Sequence, residues 1–259
     1  MTIRERLSGG LNNFLDRFGY AFIRINREYV PFRFVSHRGE TYGYEDISCP
    51  DTLAPWLIDE EFKEVYNLVK GNTLVENYRC YELFQLVREV SRLPGDILEV
   101  GVWQGGTGVV LATAAKRWKP EARVWLCDTF TGVVKAGERD SQYVGGEHAD
   151  TSIEIVNDLV ARAQLDNVMI LEGIFPEETA AQIDAAHIAL CHVDVDVYES
   201  AAEIVRWVEP RMVSGACLVF DDYGYSSCRG ITKLVDELRD AGTWIYIFNL
   251  NKHAILIKR

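Results

Sequence analysis

Short apolar runs alternate with helical patterns along residues 97–258, and this alternation limits the folds that the chain can adopt. Amphipathic segments of helical period separate five runs that read as buried strands: Ile97–Gly101, Arg123–Asp128, Val168–Glu172, Ile188–Val193 and Ala216–Phe220. Two further strands, Trp244–Leu250 and His253–Lys258, end the chain. The pattern predicts an α/β fold, with a mostly parallel seven-stranded sheet and helices on both faces. The closing pair makes the sheet mixed at one side.

The first 70 residues do not share this alternation, and aromatic and arginine side chains are frequent between Arg17 and Phe34. We therefore divide the 259 residues into an N-terminal extension, 1–70, and a main domain, 71–259. The domain opens with a helix predicted over Thr73–Ser91. The extension is interpreted as a lid, part of an acceptor pocket or a contact between subunits of a homo-oligomer.

Composition excludes several classes of protein. A net charge of −12 disfavours nucleic acid as a partner, because binding to phosphates needs clustered Lys and Arg. No apolar run approaches the roughly 20 residues that cross a membrane, and the N-terminus lacks a secretory signal, so we expect a cytoplasmic protein. The six scattered cysteines read as small buried apolar residues, which suits a reducing compartment.

Four aspartates follow two of the apolar runs directly. Asp194 and Asp196 come after the strand that ends at Val193, and Asp221 and Asp222 come after Phe220. Ligands of open α/β sheets bind outside the carboxyl ends of the strands. Carboxylates crowded there repel one another unless positive charge lies between them, and divalent cations prefer oxygen ligands. The pattern therefore predicts a site for Mg²⁺, with Mn²⁺ as the alternative.

A glycine-rich turn joins the first strand to its helix, with the sequence Glu99-Val-Gly-Val-Trp-Gln-Gly-Gly-Thr107. Gly101, Gly105 and Gly106 allow a tight turn and a close approach of the backbone to a ligand. Trp103 stands where the dinucleotide fingerprint has its second glycine, which argues against NAD. Glu99 would repel a pyrophosphate but could engage the amino group of a cationic ligand.

Asp128 ends the second strand, where a carboxylate can accept hydrogen bonds from both hydroxyls of a ribose. Acidic residues at the tips of the first two strands, with no basic residue beside them, favour S-adenosylmethionine over a phosphorylated nucleotide. The alternative interpretation is that Asp128 caps a turn or a helix.

Four segments together resemble the macrocin O-methyltransferase (TylF-like) family: Glu99–Thr107, Asp128–Gly132, His192–Ser200 and Val219–Gly224. Its members are cation-dependent class I methyltransferases with a Rossmann-like fold, and they methylate deoxysugar hydroxyls on glycosylated natural products in antibiotic biosynthesis. The resemblance covers about residues 70–259. It implies an S-adenosylmethionine-dependent O-methyltransferase whose acceptor is a small-molecule glycoside.

The resemblance also implies roles for individual residues. Asp194, Asp221 and Asp222 would bind Mg²⁺, and Asp196 would be the general base. The residues that would bind the methyl donor lie at the start of the first helix and at the strand ends: Thr73, Glu99, Gly101, Gly105, Gly106, Thr107, Asp128, Thr129, Phe130, Gly173 and Ile174.

The residues alone leave parts of this assignment open. Asp194 and Asp196 share a face on a straight strand, so either could bind the metal, and Asp196 could instead cap the following helix. His148, in the loop after the second strand, is an alternative base, and Tyr143 on the same loop could touch the acceptor. His192 lies within a strand and reads as a core residue.

Three other functions remain as alternatives. A catechol or related phenol could be the acceptor, because the same metal chemistry would activate it and the aromatic N-terminal segment suits an apolar slot. A cofactor- or metal-binding protein without activity could use the same fold. An NAD-dependent oxidoreductase is the third alternative, and Trp103 disfavours it.

Overall fold

The structure, a computed structural model, describes residues 52–259 in full and the backbone of residues 32–37 and 40–45. In the N-terminal part, β1 (Phe32–His37) pairs antiparallel with β2 (Glu40–Glu45), with Phe32 opposite Glu45 and His37 opposite Glu40. Our sequence analysis assigned no strands there, although Phe32 and Phe34 alternate with polar residues as strand residues do. The predicted lid, acceptor pocket or subunit contact falls mainly on residues outside the described ones.

Residues Leu53–Arg259 form a separate compact unit. Its helices are α1 (Glu60–Val69), α2 (Asn77–Glu89), α3 (Gly106–Trp118), α4 (Ile153–Arg162), α5 (Tyr198–Val208) and α6 (Arg229–Asp240). Its strands are β3 (Asp96–Val100), β4 (Val124–Asp128), β5 (Val168–Glu172), β6 (Ile188–Val193), β7 (Met212–Phe220), β8 (Trp244–Phe248) and β9 (Ala254–Lys258). In this part of the chain, no helix has the length and apolar character needed to cross a membrane.

The seven strands form one sheet in the order β5-β4-β3-β6-β7-β9-β8. The pairs from β5 to β7 are parallel, and β9 runs antiparallel to both β7 and β8. The predicted α/β fold with a mixed seven-stranded sheet is confirmed. Chain order reverses between β3 and β6, and ligands of such sheets bind at this point.

Buried side chains fill both faces of the sheet, because successive strand residues point to opposite sides. On one face, Ile97 and Leu126 pack with apolar residues of α1 to α4. On the other face, Leu98 and Cys127 pack with those of α5 and α6. The strands are therefore covered on both sides, which explains their continuous apolar runs.

Two helices show where the sequence pattern differs from the structure. The helix predicted to begin at Thr73 begins at Asn77, because the Thr73 hydroxyl accepts a hydrogen bond from the Val75 amide (3.0 Å) and residue 76 is extended. Helix α1 falls within the segment assigned to the N-terminal extension, yet it buries Phe62, a residue of the same core as α2. The side chain of Asp59 caps α1 by accepting from the Phe62 amide.

Candidate active site

The carboxyl ends of three neighbouring strands place the glycine turn and the acidic residues in one row. Val100 is opposite Val193, and Val193 is opposite Phe220, so the residues that follow them also lie side by side. The Asp194 amide donates to the Val100 carbonyl and the Asp221 amide to the Val193 carbonyl, each at 3.0 Å. Sheet hydrogen bonding therefore fixes the backbones of Gly101, Asp194 and Asp221 relative to one another.

A cavity of about 690 Å³ opens at these strand ends. Most of the residues that our sequence analysis assigned to the site line it: Thr73, Gly101, Thr107, Asp128, Thr129, Gly173, Asp194, Asp196, Asp221 and Asp222. The volume is in the range of small-molecule and cofactor sites. The structure therefore brings six of the eleven predicted donor residues to the same cavity as the predicted metal ligands and the predicted base.

Five predicted donor residues are not among those that line the cavity: Glu99, Gly105, Gly106, Phe130 and Ile174. Glu99 is completely buried, and its Oε1 atom lies 2.8 Å from Nδ1 of His192, which is also completely buried. Gly106 packs so closely on the segment before α2 that a Cβ atom would lie 2.6 Å from the Asn72 carbonyl oxygen. Contact of these five residues with the donor stays a prediction.

Asp128 holds the glycine turn in shape. Its Oδ2 atom accepts hydrogen bonds from the amides of Val102 (2.6 Å) and Trp103 (2.9 Å), and Oδ1 accepts from the amide of Phe130 (2.7 Å). Asp128 therefore caps the turn, as the alternative interpretation expected. It also lines the cavity, so this role does not conflict with the predicted contact with a ribose. The ribose contact stays a prediction.

Gly101 lies where the turn meets β6. Its φ angle is +89°, and a Cβ atom there would lie 1.8 Å from the carbonyl oxygen of Asp194. Both the backbone conformation and the close approach require glycine at this position. The chain thus needs Gly101 in order to bring the donor turn and the acidic residues together.

Asp194, Asp221 and Asp222 form a triad whose nearest carboxylate oxygens all lie within 4.8 Å of one another. Burial, together with the charges of Asp221 and Asp222, raises the pKa of Asp194 well above its usual range. Burial and the charges of Asp221 and Asp196 raise the pKa of Asp222 in the same way. A divalent cation between these oxygens would offset the repulsion, so the donor set fits the Mg²⁺ or Mn²⁺ that the sequence predicted.

Two basic side chains contact Asp221, and our sequence analysis identified neither. Arg79 of α2 donates to its Oδ1 atom, and Nε2 of His253 lies 2.9 Å from the same oxygen. Burial opposes ionisation of Asp221, but the contacts with His253 and Arg79 outweigh it and hold the pKa of Asp221 below its usual range. Burial alone would lower the pKa of His253. The contacts of its two ring nitrogens with Asp221 and Glu82 have the larger effect, so the pKa of His253 is raised.

Asp196 lies at the side of the triad rather than within it. Its φ angle is 64°, so the backbone has left the extended conformation of β6. The side chains of Asp194 and Asp196 therefore need not share a face, as they would on a straight strand. Its Oδ1 atom lies 3.6 Å from Sγ of Cys228, and Asp196, Asp222 and Cys228 form a second group of close polar atoms. Both groups contain Asp222, so the assignment of Asp194 as a metal ligand and of Asp196 as the general base stays a prediction.

The long connection between β4 and α4 forms another wall of the cavity. Tyr143 and His148 lie on it and line the cavity, and the Tyr143 hydroxyl is 3.4 Å from Nε2 of His148. Burial and the nearby charge of Asp196 raise the pKa of Tyr143. Tyr143, which was predicted to touch the acceptor, therefore lies beside the predicted base Asp196. Lys252 and Tyr225 line the cavity as well, and the Lys252 ammonium is 4.6 Å from the Tyr225 ring centre.

The chain matches the family of macrocin-O-methyltransferases (TylF) over residues 68–245. It belongs to this family. Two curated TylF-family relatives are a tetracenomycin derivative 4'-O-methyltransferase of Streptomyces olivaceus and a mycinamicin III 3''-O-methyltransferase of Micromonospora griseorubida. The first is 28% identical over 79% of this chain and 84% of its own length. The second is 29% identical over 66% of this chain and 71% of its own.

Solved structures agree with the TylF fold. The O-methyltransferase NovP superposes with a TM-score of 0.63 at 24% identity, covering 72% of this chain and 82% of NovP. The calicheamicin methyltransferase CalS11 superposes with a TM-score of 0.59 at 18% identity, covering 80% of this chain and 94% of CalS11. The predicted family is confirmed, and the chain is an S-adenosylmethionine-dependent O-methyltransferase.

Proposed function

We propose that this enzyme transfers a methyl group from S-adenosylmethionine to a deoxysugar hydroxyl of a glycosylated natural product, and that the reaction requires Mg²⁺ or Mn²⁺. One observation supports this most directly: the triad of Asp194, Asp221 and Asp222 shares a cavity with the glycine turn that follows β3. Carboxylate oxygens are the ligands that these cations prefer.

When bound, S-adenosylmethionine supplies the methyl group, and the divalent cation lowers the pKa of the acceptor hydroxyl. Residues at the turn and at the tips of β4 and β5 would orient the donor: Thr73, Gly101, Thr107, Asp128, Thr129 and Gly173. The triad would hold the cation where two adjacent sugar hydroxyls can reach it. Positioning of this kind supplies much of the rate when the transferred group is already reactive.

Asp196 would take the proton from the acceptor hydroxyl as the methyl group arrives. It lines the cavity close to Asp222 and to Tyr143. The Tyr143 hydroxyl in turn lies 3.4 Å from Nε2 of His148. His148 is the alternative base. It faces the same cavity but is exposed, whereas Asp196 lies next to the triad.

The acceptor class rests on the relatives. Two of them methylate the 4' position of a rhamnosylated tetracenomycin C and the 3'' position of mycinamicin III, respectively. A third relative, from Streptomyces niveus, is a demethyldecarbamoylnovobiocin O-methyltransferase and is 28% identical over 65% of this chain. These relatives support a glycosylated natural product over the alternative, a catechol or other phenol.

Titration calorimetry with S-adenosylmethionine, with and without Mg²⁺ and EDTA, tests the binding half of the proposal. We expect donor binding in the micromolar range and a separate Mg²⁺ site that EDTA empties. If the donor binds and turnover is unaffected by EDTA, the requirement for a metal is refuted.

A set of rhamnosylated antibiotics and catechols, assayed for methyl transfer, tests the acceptor class. Turnover of catechols alone would refute the sugar acceptor.

A further inference from the structure

Arg79 and His253 both contact the same oxygen of Asp221. Arg79 donates to Oδ1 through Nη1, and Nε2 of His253 lies 2.9 Å from Oδ1. The three side chains are buried, with exposed fractions of 4% for Arg79, 0% for His253 and 4% for Asp221. The ion pair between Arg79 and Asp221 is therefore far less screened than one at the surface. Because both contacts are made with Oδ1, Oδ2 is the oxygen of Asp221 that remains for another partner.

Each of these two basic side chains also contacts a second carboxylate. Nε of Arg79 donates to Glu76 at 2.7 Å, and Nδ1 of His253 lies 2.5 Å from Oε2 of Glu82. The pairing of β7 with β9 sets the position of His253, because Phe220 is opposite Ala254 and residue 221 is therefore beside residue 253. Neither Arg79 nor His253 can turn away from Asp221 without losing its contact with a second carboxylate.

We propose that the Arg79–His253 pair restricts Asp221 to binding a metal through Oδ2 alone, and so makes the site selective for Mg²⁺ or Mn²⁺ over Ca²⁺. This inference rests on the proposed metal site. Ca²⁺ takes six to eight oxygens at variable geometry and often uses both oxygens of a carboxylate. Mg²⁺ needs a near-octahedral set in which each carboxylate gives one oxygen. With Oδ1 occupied by Arg79 and His253, Asp221 suits the second arrangement.

In this proposal Arg79 and His253 are positioning residues, acting on the metal through Asp221. Outer partners of metal ligands commonly change metal affinity by about 10–100-fold when replaced. A purely structural role for the two residues would change protein stability but would leave the preference between two metals unaltered. The ratio of the two metal affinities therefore separates the two roles.

The test measures Mn²⁺ binding by electron paramagnetic resonance, with Ca²⁺ as competitor and saturating S-adenosylhomocysteine. The variants are Arg79→Met, Arg79→Lys, His253→Leu and Glu82→Gln. Lys258→Gln is the control, because it removes another charge pair of β9, the contact of Lys258 with Glu209 at 3.0 Å. Circular dichroism checks the fold of each variant. If Arg79→Met does not fold, Glu82→Gln still tests the proposal, because it loosens His253 without touching Asp221.

In the wild-type protein we expect Ca²⁺ to displace Mn²⁺ poorly. In Arg79→Met and His253→Leu, the affinity for Ca²⁺ relative to Mn²⁺ should rise by about tenfold or more. Arg79→Lys, which keeps a donor, and Glu82→Gln should give smaller rises, and Lys258→Gln none. An unchanged ratio in the folded variants would overturn the selectivity proposal and leave the metal site intact. Absence of Mn²⁺ binding in the wild-type protein would overturn the metal site itself.

Discussion

Replacement of Gly101 by alanine should damage the site and the fold at once. The new Cβ atom would lie 1.8 Å from the Asp194 carbonyl oxygen, so the two strands must separate by about 1.2 Å to reach 3.0 Å. The positive φ of Gly101 adds about 1–2 kcal/mol for a residue with a side chain. Forcing an atom into a packed region adds about 1–3 kcal/mol. We therefore expect Gly101→Ala to lower the free energy of unfolding by about 2–5 kcal/mol.

Gly146→Ala is the matched control for this prediction. Gly146 has a φ of +87°, close to the +89° of Gly101, but no atom lies within 4 Å of its would-be Cβ. It should lose only the conformational part, about 1–2 kcal/mol. In a chain of this size, 1 kcal/mol corresponds to about 2–4 °C in Tm, so we expect losses of about 4–20 °C for Gly101→Ala and about 2–8 °C for the control.

Thermal unfolding and calorimetry with S-adenosylhomocysteine check both consequences. Gly101→Ala should also weaken donor and Mn²⁺ binding together, because the displaced carbonyl belongs to the predicted metal ligand Asp194. Equal losses of Tm in the two variants would refute the close approach. A destabilised Gly101→Ala that binds both ligands as the wild type does would refute the link between the turn and the triad.

Three further predictions concern the acidic residues and the core. Asp194→Ala or Asp221→Ala should abolish Mn²⁺ binding and EDTA-sensitive turnover while S-adenosylhomocysteine still binds; unchanged turnover in either variant would remove the metal site. Asp196→Asn should keep Mn²⁺ binding but lower kcat by about 10²–10⁴-fold, and a wild-type kcat would exclude Asp196 as the base. Phe84 is fully buried 4.8 Å from the Trp118 ring centre, so Phe84→Ala should cost about 3–5 kcal/mol in urea unfolding. A loss under 1 kcal/mol would contradict this packing.

The strands and their tips could be predicted from the sequence because a sheet covered on both faces leaves continuous apolar runs. Val193 and Phe220 end two such runs, and the aspartates after them had to reach the same edge once the strands were parallel. Gly101 directly follows another of these strands, so the same rule brings it to this edge of the sheet. This part of the site depends only on local patterns and on the rules of parallel sheets.

Arg79 and His253 could not be predicted in the same way, because their importance depends on contacts between distant elements. Arg79 is 142 positions from Asp221 and reaches it from α2. The position of His253 depends on the register between β7 and β9, which the apolar pattern of these two strands does not determine. The surroundings of Glu99 show the same limit, because its contact with His192 joins two strands through side chains 93 positions apart.

The cavity has two walls made of different kinds of structure. Asp194 and Asp221 follow strands whose backbones are hydrogen-bonded on both sides, whereas Tyr143 and His148 belong to the connection between β4 and α4. Loops accept substitutions, insertions and deletions that strands do not. Directed evolution of this connection could therefore change which acceptors the enzyme methylates, without changing the residues at the strand ends. Libraries confined to residues 131–149 would be the place to begin, because they leave the predicted donor residues Thr129 and Phe130 unchanged.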